Sequence, residues 1–239
     1  MNDEIEKLNE IIKKSKRIVF FGGAGVSTES NIPDFRSKEG LYNSNINDNP
    51  EYLLSYECFI KEPEKFYNFY FNKMIYDNAK PNSCHKKLKE LEDKGKLSSI
   101  ITQNIDNLHQ EAKSKNVLEL HGNVNYLTCT KCGKTYKLEE IKRKGVPKCS
   151  CGGTLKPDVV LYGEPLNKTT ISKAIEEIEK ADTLIIGGTS LIVYPAAGFI
   201  KYFKGKNLVI INKDKTYADK MATLVIHDSI AKIFEKINI

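Results

Sequence analysis

Six cysteines carry the clearest chemical pattern in this 239-residue chain. Four of them form two closely spaced pairs, C-x-x-C and C-x-C, with 16 residues between the pairs: Cys129, Cys132, Cys149 and Cys151. Four thiolates bind zinc tetrahedrally, and an ion whose four positions are all filled by protein ligands is structural rather than catalytic. The spacing therefore predicts a structural zinc site, with four unrelated buried thiols as the alternative. The isolated Cys58 and Cys84 are predicted to be packing residues.

Polar groups that could do chemistry follow two apolar runs in the middle of the chain. Gln103, Asn104 and Asp106 come after one run, and His121 comes directly after the next. Because ligands of open α/β sheets bind beyond the carboxyl ends of the strands, side chains at these positions indicate a site. An imidazole titrates near neutrality and can act as a general base. The residues alone leave two other interpretations open, namely a helix cap by Asn104 or Asp106 and a purely structural histidine.

A glycine-rich stretch, GGAGVSTESNIPDFR at residues 22–36, follows the apolar run Ile18–Phe21. Glycines let the backbone approach a ligand closely, because they carry no Cβ. Ser27, Thr28 and Ser30 could then start a helix whose free N–H groups suit a phosphate. The stretch lacks the third glycine of the usual dinucleotide fingerprint, so a plain tight turn remains the alternative.

The elements that would position these groups alternate between strands and helices. The predicted strands are the apolar runs Ile18–Phe21, Leu97–Thr102, Val117–Leu120, Thr183–Ile186, Leu208–Ile211 and Leu224–Ile226. The predicted helices are the amphipathic stretches Asn2–Lys14, Ser83–Lys94, Thr170–Lys180 and Pro195–Phe203. This alternation predicts an α/β fold with a Rossmann-like, doubly wound parallel sheet.

Two segments interrupt the alternation and are predicted to form a smaller lobe made of a helical insert and a zinc ribbon. The predicted boundaries are 1–34, 80–124 and 158–239 for the Rossmann-like lobe, 35–79 for the helical insert and 125–157 for the zinc ribbon. Aromatic residues recur at helical spacings in the first insert: Phe59, Phe66, Phe69 and Tyr70. An aromatic helix face is most often core, and we expect these side chains to be buried.

Composition narrows the class of protein. A hydrophobic content of 40% and a charged content of 28% are typical of a globular protein, and the net charge of +6 indicates a lysine-rich surface. No apolar run approaches the ~20 residues of a membrane-spanning helix, and residues 2–17 are too charged for a signal peptide. We therefore expect a cytoplasmic protein with no membrane partner and no specific nucleic-acid partner. In that compartment cysteines favour metal binding over disulfides.

Eight motifs occur in one order along the chain: GAGVS, IPDFR, TQNID, LHG, the four cysteines, PDVV, GTSL and YPAA. In this combination the sequence resembles, from Phe20 to about Asp228, the bacterial type of the sirtuins, which are NAD-dependent protein lysine deacylases. The sequence departs from the family pattern at two informative places. Asn31 stands where a glycine is usual, and the second cysteine pair encloses one residue, Ser150, instead of two.

The resemblance implies NAD as a co-substrate and Zn²⁺ as a structural ion. The NAD-binding residues that it implies are Ala24, Gly25, Ser27, Thr28, Phe35, Arg36, Gln103, Asn104, Ile105, Asp106, His121, Gly188, Thr189, Ser190, Asn212 and Asp228. Catalysis would fall to Asn104 and to His121, the latter as general base on a ribose hydroxyl. Phe35 would cover the reactive ribose carbon and exclude water.

By the same resemblance, an acyl-lysine peptide or protein would dock by strand addition along two edges. The residues implied are Val160, Leu161, Tyr162, Gly163, Glu164 and Val193. The run Val159–Tyr162 is β-prone; the residues alone leave an ordinary buried strand open, and the resemblance implies an exposed strand edge that receives the peptide. The predicted activity is therefore that of an NAD-dependent protein deacetylase, which transfers the acyl group to ADP-ribose and releases nicotinamide. A mono-ADP-ribosyltransferase on the same fold and a non-catalytic NAD-binding scaffold are the alternatives.

Acyl preference is the finest of these expectations. Tyr70 and Lys73 resemble the Tyr-x-x-Arg of sirtuins that prefer succinyl or malonyl lysine, with lysine in place of arginine. Lysine offers one point charge where arginine offers a bidentate fork, so recognition of a distal carboxylate should be weaker. We expect deacetylation as the main activity, with at most modest desuccinylation that depends on Lys73.

Overall fold

The structure is a computed structural model that describes residues 2–35, 40–41 and 49–238. These residues form nine strands: β1 (Ile18–Gly22), β2 (Leu97–Thr102), β3 (Val117–Glu119), β4 (Gly122–Cys129), β5 (Thr135–Lys137), β6 (Leu155–Val159), β7 (Thr183–Gly187), β8 (Asn207–Ile211) and β9 (Leu224–Ile226). They also form eight α-helices: α1 (Asn2–Lys14), α2 (Pro50–Leu53), α3 (Tyr56–Lys61), α4 (Pro63–Lys73), α5 (Ser83–Asp93), α6 (Leu108–Glu111), α7 (Lys168–Lys180) and α8 (Ile230–Glu235).

Six of the strands make one parallel sheet in the order β3-β2-β1-β7-β8-β9. Counted along this sheet alone, the order is 3-2-1-4-5-6, which is that of a Rossmann fold. The chain reverses its direction of travel across the sheet between β1 and β7, so the loops after these two strands diverge and open a crevice. The predicted fold class is confirmed, and each of the six strands predicted for this parallel sheet is present to within a residue or two.

Helices cover both faces of this sheet, which explains why its strands are continuously apolar. One layer of core holds the buried faces of α1, α5 and α8, and the other holds α7 and the segment Ala196–Tyr202. That last segment forms a 3₁₀ helix. Asn82 and Asn167 cap α5 and α7 by accepting hydrogen bonds from backbone N–H groups, which is why these helices begin where they do. We call this sheet with its five α-helices, α1 and α5 to α8, the sheet lobe.

The remaining three strands form an antiparallel sheet in the order β5-β4-β6. It shares one core with α2, α3 and α4, because the aromatic side chains of these helices pack against Val124, Leu127 and Leu155. The four aromatics predicted to be core, Phe59, Phe66, Phe69 and Tyr70, are all buried there. We call this unit the ribbon lobe; the residue boundaries given above for the two lobes stay a prediction.

A fully buried tyrosine joins the two parts of the ribbon lobe. The Tyr67 hydroxyl donates a hydrogen bond to the Leu155 carbonyl of β6. On the surface, Arg143 of the ribbon makes a bidentate ion pair with Asp77, which follows α4. The helical insert and the ribbon therefore hold each other through one buried contact and one charged contact.

The predicted strand Val159–Tyr162 is wrong in its position. β6 ends at Val159, and Tyr162 forms only an isolated parallel bridge with Ser55. The backbone changes partner within the run, since the Val160 N–H donates to the His121 carbonyl and the Tyr162 N–H donates to the Leu54 carbonyl. Strand propensity records side-chain type and carries no information about such a change of partner.

Two further expectations concern the whole chain. Within the described ranges, no helix combines the length and the apolar character needed to cross a bilayer. Cys58 and Cys84 are both fully buried, the first in the core of the ribbon lobe and the second beneath α5, as expected for packing residues.

Candidate active site and metal centre

A cleft of about 1330 Å³ opens at the carboxyl edge of the six-stranded sheet and extends to the ribbon lobe. Every NAD or peptide residue predicted above that the structure describes lines this one cleft: Ala24, Gly25, Ser27, Thr28, Phe35, Gln103, Asn104, Ile105, Asp106, His121, Gly188, Thr189, Ser190, Asn212, Asp228, Tyr70, Lys73, Val160, Leu161, Tyr162, Gly163, Glu164 and Val193. Arg36 lies outside the described residues. The individual roles of these residues stay predictions, but they share one cavity.

The two glycine loops cross at the floor of the cleft. The Gly25 N–H donates to the Gly188 carbonyl at 2.8 Å, and the Gly23 N–H donates to the Gly187 carbonyl at 3.2 Å. A Cβ on Gly25 would lie 2.8 Å from the Gly188 Cα, a separation that side chains do not tolerate. Gly188 also has a φ of +59°, in the left-handed region. These glycines are therefore required for the loops to pack on each other, which places both loops in the crevice.

The helix expected after the first glycine loop is reduced to two 3₁₀ turns, Ala24–Val26 and Thr28–Ser30. Asn31 ends the second turn in the left-handed conformation, with a φ of 63°. This is the residue that replaces the usual glycine, and asparagine adopts this conformation more readily than most residues. The substitution therefore preserves the path of the backbone into the segment that carries Phe35.

A hydrogen-bonded network fixes the polar groups beyond β2. The Ser27 hydroxyl donates to Asp106 Oδ2 at 2.6 Å, and the Asn104 amide donates to Ser27 Oγ at 3.1 Å. The Leu108 N–H donates to Asp106 Oδ1 at 3.0 Å. Burial raises the pKa of the Asp106 carboxyl, and the hydrogen bonds that it accepts oppose that rise. Asn104 is therefore held toward the cleft by a chain of contacts that begins in the first glycine loop.

His121 lies between β3 and β4, and one of its two ring nitrogens is held by a hydrogen bond. Its Nδ1 is 2.8 Å from the Gln103 carbonyl oxygen. A carbonyl can only accept, so Nδ1 carries the hydrogen and Nε2 of the neutral ring keeps its lone pair. Burial lowers the pKa of His121, which favours that neutral form near pH 7. The ring is therefore prepared to accept a proton within the cleft.

The ribbon lobe supplies the opposite rim through the segment after β6. Glu164 accepts a hydrogen bond from the Leu161 N–H at 2.9 Å and pairs with Lys156 at 2.9 Å. The N–H groups of Val160 and Tyr162 are also engaged within the protein. A peptide that adds as a strand must therefore use other backbone groups of 160–164 or displace the Glu164 carboxylate from Leu161.

The helical insert contributes Tyr70 and Lys73 to the same cleft. Tyr70 is fully buried and stacks on Phe66, and its hydroxyl has no hydrogen-bond partner among the described residues. Burial raises the pKa of Tyr70, so the hydroxyl stays protonated and is available as a donor. Lys73, at the end of α4, is exposed.

A hydrogen bond of 3.1 Å joins Gln103 Nε2, in the loop after β2, to Thr189 Oγ1, in the loop after β7.

The far end of the cleft lies beyond β8 and β9. Lys213 and Lys215 also line this end, although the sequence reasoning did not select them. Their position directly after Asn212, which was selected, was the available signal. Asp34 and Lys168 also line the cleft and were not predicted from the sequence.

The four paired cysteines come together at one end of the ribbon. Their sulfur atoms all lie within 4.8 Å of one another. A tetrahedron with Zn–S distances of about 2.3 Å has sulfur–sulfur edges of about 3.8 Å, so the cluster fits zinc. The Cys129–Cys151 and Cys132–Cys149 sulfur distances are 3.5 and 3.6 Å.

The shortened second pair closes tightly around its end of the cluster. Hydrogen bonds from the Cys151 backbone and the Tyr136 hydroxyl lower the pKa of Cys149, which favours its thiolate; a hydrogen bond from the Gly153 backbone has the same effect on Cys151, but contacts with the other three sulfurs raise the pKa of Cys151 overall. The Tyr136 oxygen is 3.1 Å from the Cys149 sulfur. The single residue between Cys149 and Cys151 is therefore compatible with the metal site.

Comparisons with known proteins agree with this arrangement. The Sir2 family model matches residues 23–195. An NAD-dependent protein deacetylase of Clostridium perfringens (strain 13 / Type A) is 60% identical over 99% of both chains. The homologous deacetylase of Clostridium tetani (strain Massachusetts / E88) is 56% identical over 97% of this chain and 96% of its own. A solved Sir2–p53 peptide–NAD⁺ complex superimposes with a TM-score of 0.85 at 36% identity, covering 97% of this chain and 96% of that one. The chain belongs to the Sir2 family.

Proposed function

We infer that this protein is an NAD-dependent protein lysine deacetylase. The observation that carries the inference is that one cleft joins the crossed glycine loops, the Asn104 network and a histidine whose Nε2 is left as a base. NAD, as co-substrate, supplies the ADP-ribosyl group that accepts the acyl group when nicotinamide leaves. The residues of this chain bind and orient the two substrates and move one proton.

His121 serves as the general base. It accepts a proton from a ribose hydroxyl at Nε2, while the Gln103 carbonyl holds Nδ1–H and so fixes the ring orientation. Asn104 is held by Ser27 and places its amide beside the nicotinamide ribose. The lowered pKa of His121 keeps the base unprotonated at neutral pH.

The remaining predicted residues bind NAD and shield its reactive ribose carbon from water. The two glycine loops and Asn212 hold the phosphates and the adenosine, and Arg36 adds a cation to them. Phe35, which is half-buried against the core of the ribbon lobe, covers the reactive carbon and keeps water from it. Ile105 and Asp106 line the nicotinamide pocket. The four cysteines hold a structural zinc ion that takes no part in proton transfer.

The substrate is an acyl-lysine in a peptide or protein, received between residues 160–164 and Val193. The solved relative with a p53 peptide supports a peptide ligand for this cleft. We place the protein in the cytoplasm, acting on protein substrates without a membrane partner or a specific nucleic-acid partner.

One experiment separates this activity from its two alternatives. The purified protein is incubated with an acetylated peptide and NAD, and all products are weighed by mass spectrometry. Loss of acetyl from the peptide together with formation of O-acetyl-ADP-ribose supports deacetylation. Gain of ADP-ribose on the protein or peptide would instead identify a mono-ADP-ribosyltransferase, and an unchanged mixture would identify an NAD-binding scaffold.

Acetyl is the proposed main acyl group. The buried, unpartnered Tyr70 hydroxyl and the exposed Lys73 line the cleft, and together they offer one donor and one cation to a longer acyl chain that ends in a carboxylate. Because Lys73 is solvated and lacks the fork of an arginine, the gain for a succinyl chain is small.

A further inference from the structure

The net positive charge of this protein arises from one small part of the chain. The zinc ribbon, residues 125–157, contains eight of the 37 basic residues and two of the 31 acidic residues. Its formal charge is therefore +6, which equals the net charge of the whole chain. The other residues, taken together, are neutral.

This imbalance survives metal binding. Four thiolates around one Zn²⁺ would together carry two negative charges, which leaves the loaded ribbon at a formal charge of +4. Cys129 and Cys149 are buried and Cys132 and Cys151 are exposed, whereas five lysines of the ribbon reach solvent. A partner that approaches the ribbon therefore meets a surface with a net positive charge.

Five of the ribbon lysines are exposed and have no ion pair among the described residues: Lys131, Lys134, Lys142, Lys144 and Lys148. Three of them surround the metal end. Lys131 lies between two cysteine ligands, the Lys134 carbonyl accepts from the Cys129 N–H at 2.9 Å, and Lys148 directly precedes Cys149. Because the four sulfurs lie within 4.8 Å of one another, the cluster holds the backbone of these three lysines at one tip. Lys142 and Lys144 form a second group on the loop before β6.

The charged ribbon connects directly to the substrate rim of the cleft. β6 leaves the ribbon and continues into residues 160–164, which line the cleft. Lys156 of β6 pairs with Glu164 at 2.9 Å and donates to the Val159 carbonyl at 3.0 Å, so ribbon and rim are held together. A protein bound at the cleft therefore extends past a surface with unpaired cations.

We propose that the zinc ribbon is a docking surface for acidic segments of the protein substrates, with the lysines at its metal end as the main contacts. That the bound protein is a substrate rests on the proposed deacetylase function, whereas the binding of an acidic segment does not depend on that function. Exposed ion pairs are individually weak and are screened by salt, so the effect is a modest, salt-sensitive preference for substrates with acidic flanks.

Acidic protein fits this surface better than nucleic acid does. Proteins that bind single strands combine basic residues with aromatic rings on which bases stack. The ribbon tip offers Tyr136, but Lys134 lies over that ring at 4.8 Å from its centre and the hydroxyl contacts Cys149. Carboxylates need only the cations, and the five exposed lysines have no acidic partner among the described residues.

The test uses two pairs of acetyl-lysine peptides. The members of a pair differ only in a flanking tail, which is six glutamates in one and six glutamines in the other; the tail precedes the acetyl-lysine in the first pair and follows it in the second. For the wild type, kcat/KM on the better-placed glutamate peptide should exceed that on its glutamine partner by roughly three- to tenfold at low salt, and the ratio should approach one at about 0.5 M salt. The triple variant Lys131→Gln, Lys134→Gln, Lys148→Gln should lose most of this ratio. The double variant Lys142→Gln, Lys144→Gln, which is further from the cysteines, should lose less.

A matched control removes the same charge elsewhere. Lys7→Gln, Lys13→Gln and Lys173→Gln change three exposed lysines of α1 and α7 and should keep the ratio. Zinc content and melting temperature show that each variant is folded. The proposal is overturned if the ratio is one for the wild type, or if the control triple lowers it as much as the ribbon triple does.

Direct binding separates this proposal from the deacetylase assignment. Fluorescence anisotropy with a labelled glutamate tail should show ribbon-dependent binding even if no turnover occurs. Binding of a labelled DNA oligonucleotide through the same lysines, with none of the glutamate tail, would replace acidic protein by nucleic acid and overturn the proposal.

Discussion

The two lobes contribute to the same cleft by different physical means. In the sheet lobe, parallel aliphatic strands end together and the backbone itself places Gln103, Asn104 and His121. In the ribbon lobe, short helices and a three-stranded sheet share an aromatic core, and four thiols close one end. The first lobe is held by regular hydrogen bonding and burial, and the second depends in addition on a metal.

Because of this difference, we expect substitutions in the two lobes to affect catalysis and stability differently. A side chain at a strand end can be removed with little effect on a sheet whose core lies beneath it. A cysteine ligand cannot be removed in the same way, because the metal contributes folding free energy to the three-stranded ribbon. We therefore expect substitutions in the sheet lobe to change rate at constant stability, and loss of metal in the ribbon lobe to change both.

The largest expected effect is that of His121→Ala. Loss of the general base should lower kcat by roughly 10²–10⁴-fold. Among the described residues the ring makes one hydrogen bond, to the Gln103 carbonyl, so the melting temperature should change little when the ring is removed. Calorimetric titration with NAD should show retained binding. A kcat within a fewfold of the wild type would remove His121 from the mechanism, and a large fall in stability would contradict the proposed contrast between the lobes.

The second effect is loss of zinc. Chelation, or the double variant Cys149→Ala and Cys151→Ala, should unfold the ribbon and lower activity by at least about tenfold, because the peptide rim is continuous with β6. Hydrogen exchange read by mass spectrometry should show loss of protection in residues 122–159 and retention of protection in β1, β2 and β7. Ser150→Ala, which changes the exposed residue between the two ligands, is the control. Full activity of the metal-free protein would show that the ribbon is held by its core alone.

The third prediction concerns the pH dependence of stability that arises from two buried histidines for which no catalytic role is proposed. His85 of α5 and His109 of α6 are fully buried with their ring centres 4.7 Å apart, and neither nitrogen of His109 has a partner among the described residues. Burial lowers the pKa of His85 to about 4 and also lowers that of His109. The unfolded chain, whose histidines titrate near 6.5, therefore binds protons that the folded protein does not, and stability should fall as pH drops from about 6.5 toward 4.

Thermal unfolding at pH 7.5 and 5.5 measures this loss. The wild type should melt several degrees lower at pH 5.5, and His109→Leu should show a smaller difference while keeping activity at pH 7.5 within a fewfold. Leucine places no polar atom at this buried position, so the variant should not be strongly destabilised at the higher pH. His227→Gln is the control at an exposed position, where Nε2 lies 3.2 Å from Asp219; because this pair is on the surface, its removal should leave the pH dependence close to that of the wild type. An equal pH dependence in wild type and His109→Leu would show that other groups carry it.

The smallest effect is that of Lys73→Met. We expect kcat/KM for an acetyl peptide to stay the same and kcat/KM for the succinyl form of that peptide to fall by roughly two- to threefold, since one solvated cation is worth well under 1 kcal/mol. Lys80→Met removes another exposed lysine that does not line the cleft and should change neither value. If succinyl were preferred in the wild type and remained so in Lys73→Met, the distal carboxylate would have to be held elsewhere.

Much of the sheet lobe could be predicted because its signals are local. Ile18–Phe21 and the other apolar runs report burial on both faces of a sheet, and polar residues directly after such runs must lie at the strand ends. The alternation with helices indicates that these strands run parallel, whereas their order in the sheet was seen only in the structure. The errors fell where partners change along a run, as at Val159–Tyr162, whose backbone bonds to His121 and Leu54 are tertiary contacts.

The sequence by itself determined the inventory of groups and their order: two glycine loops, polar strand ends, a histidine, and two thiol pairs at metal-ligand spacing. Only the tertiary structure decided what each group can do. It left Nε2 of His121 as a base by bonding Nδ1 to a carbonyl, and it buried His109 with no partner for either ring nitrogen among the described residues. It also brought together two cysteine pairs that are 16 residues apart in the chain. The physical reason is that residue type fixes a group's chemistry, whereas its hydrogen-bond partners and its burial, which arise from distant parts of the chain, fix its protonation and its access to a ligand.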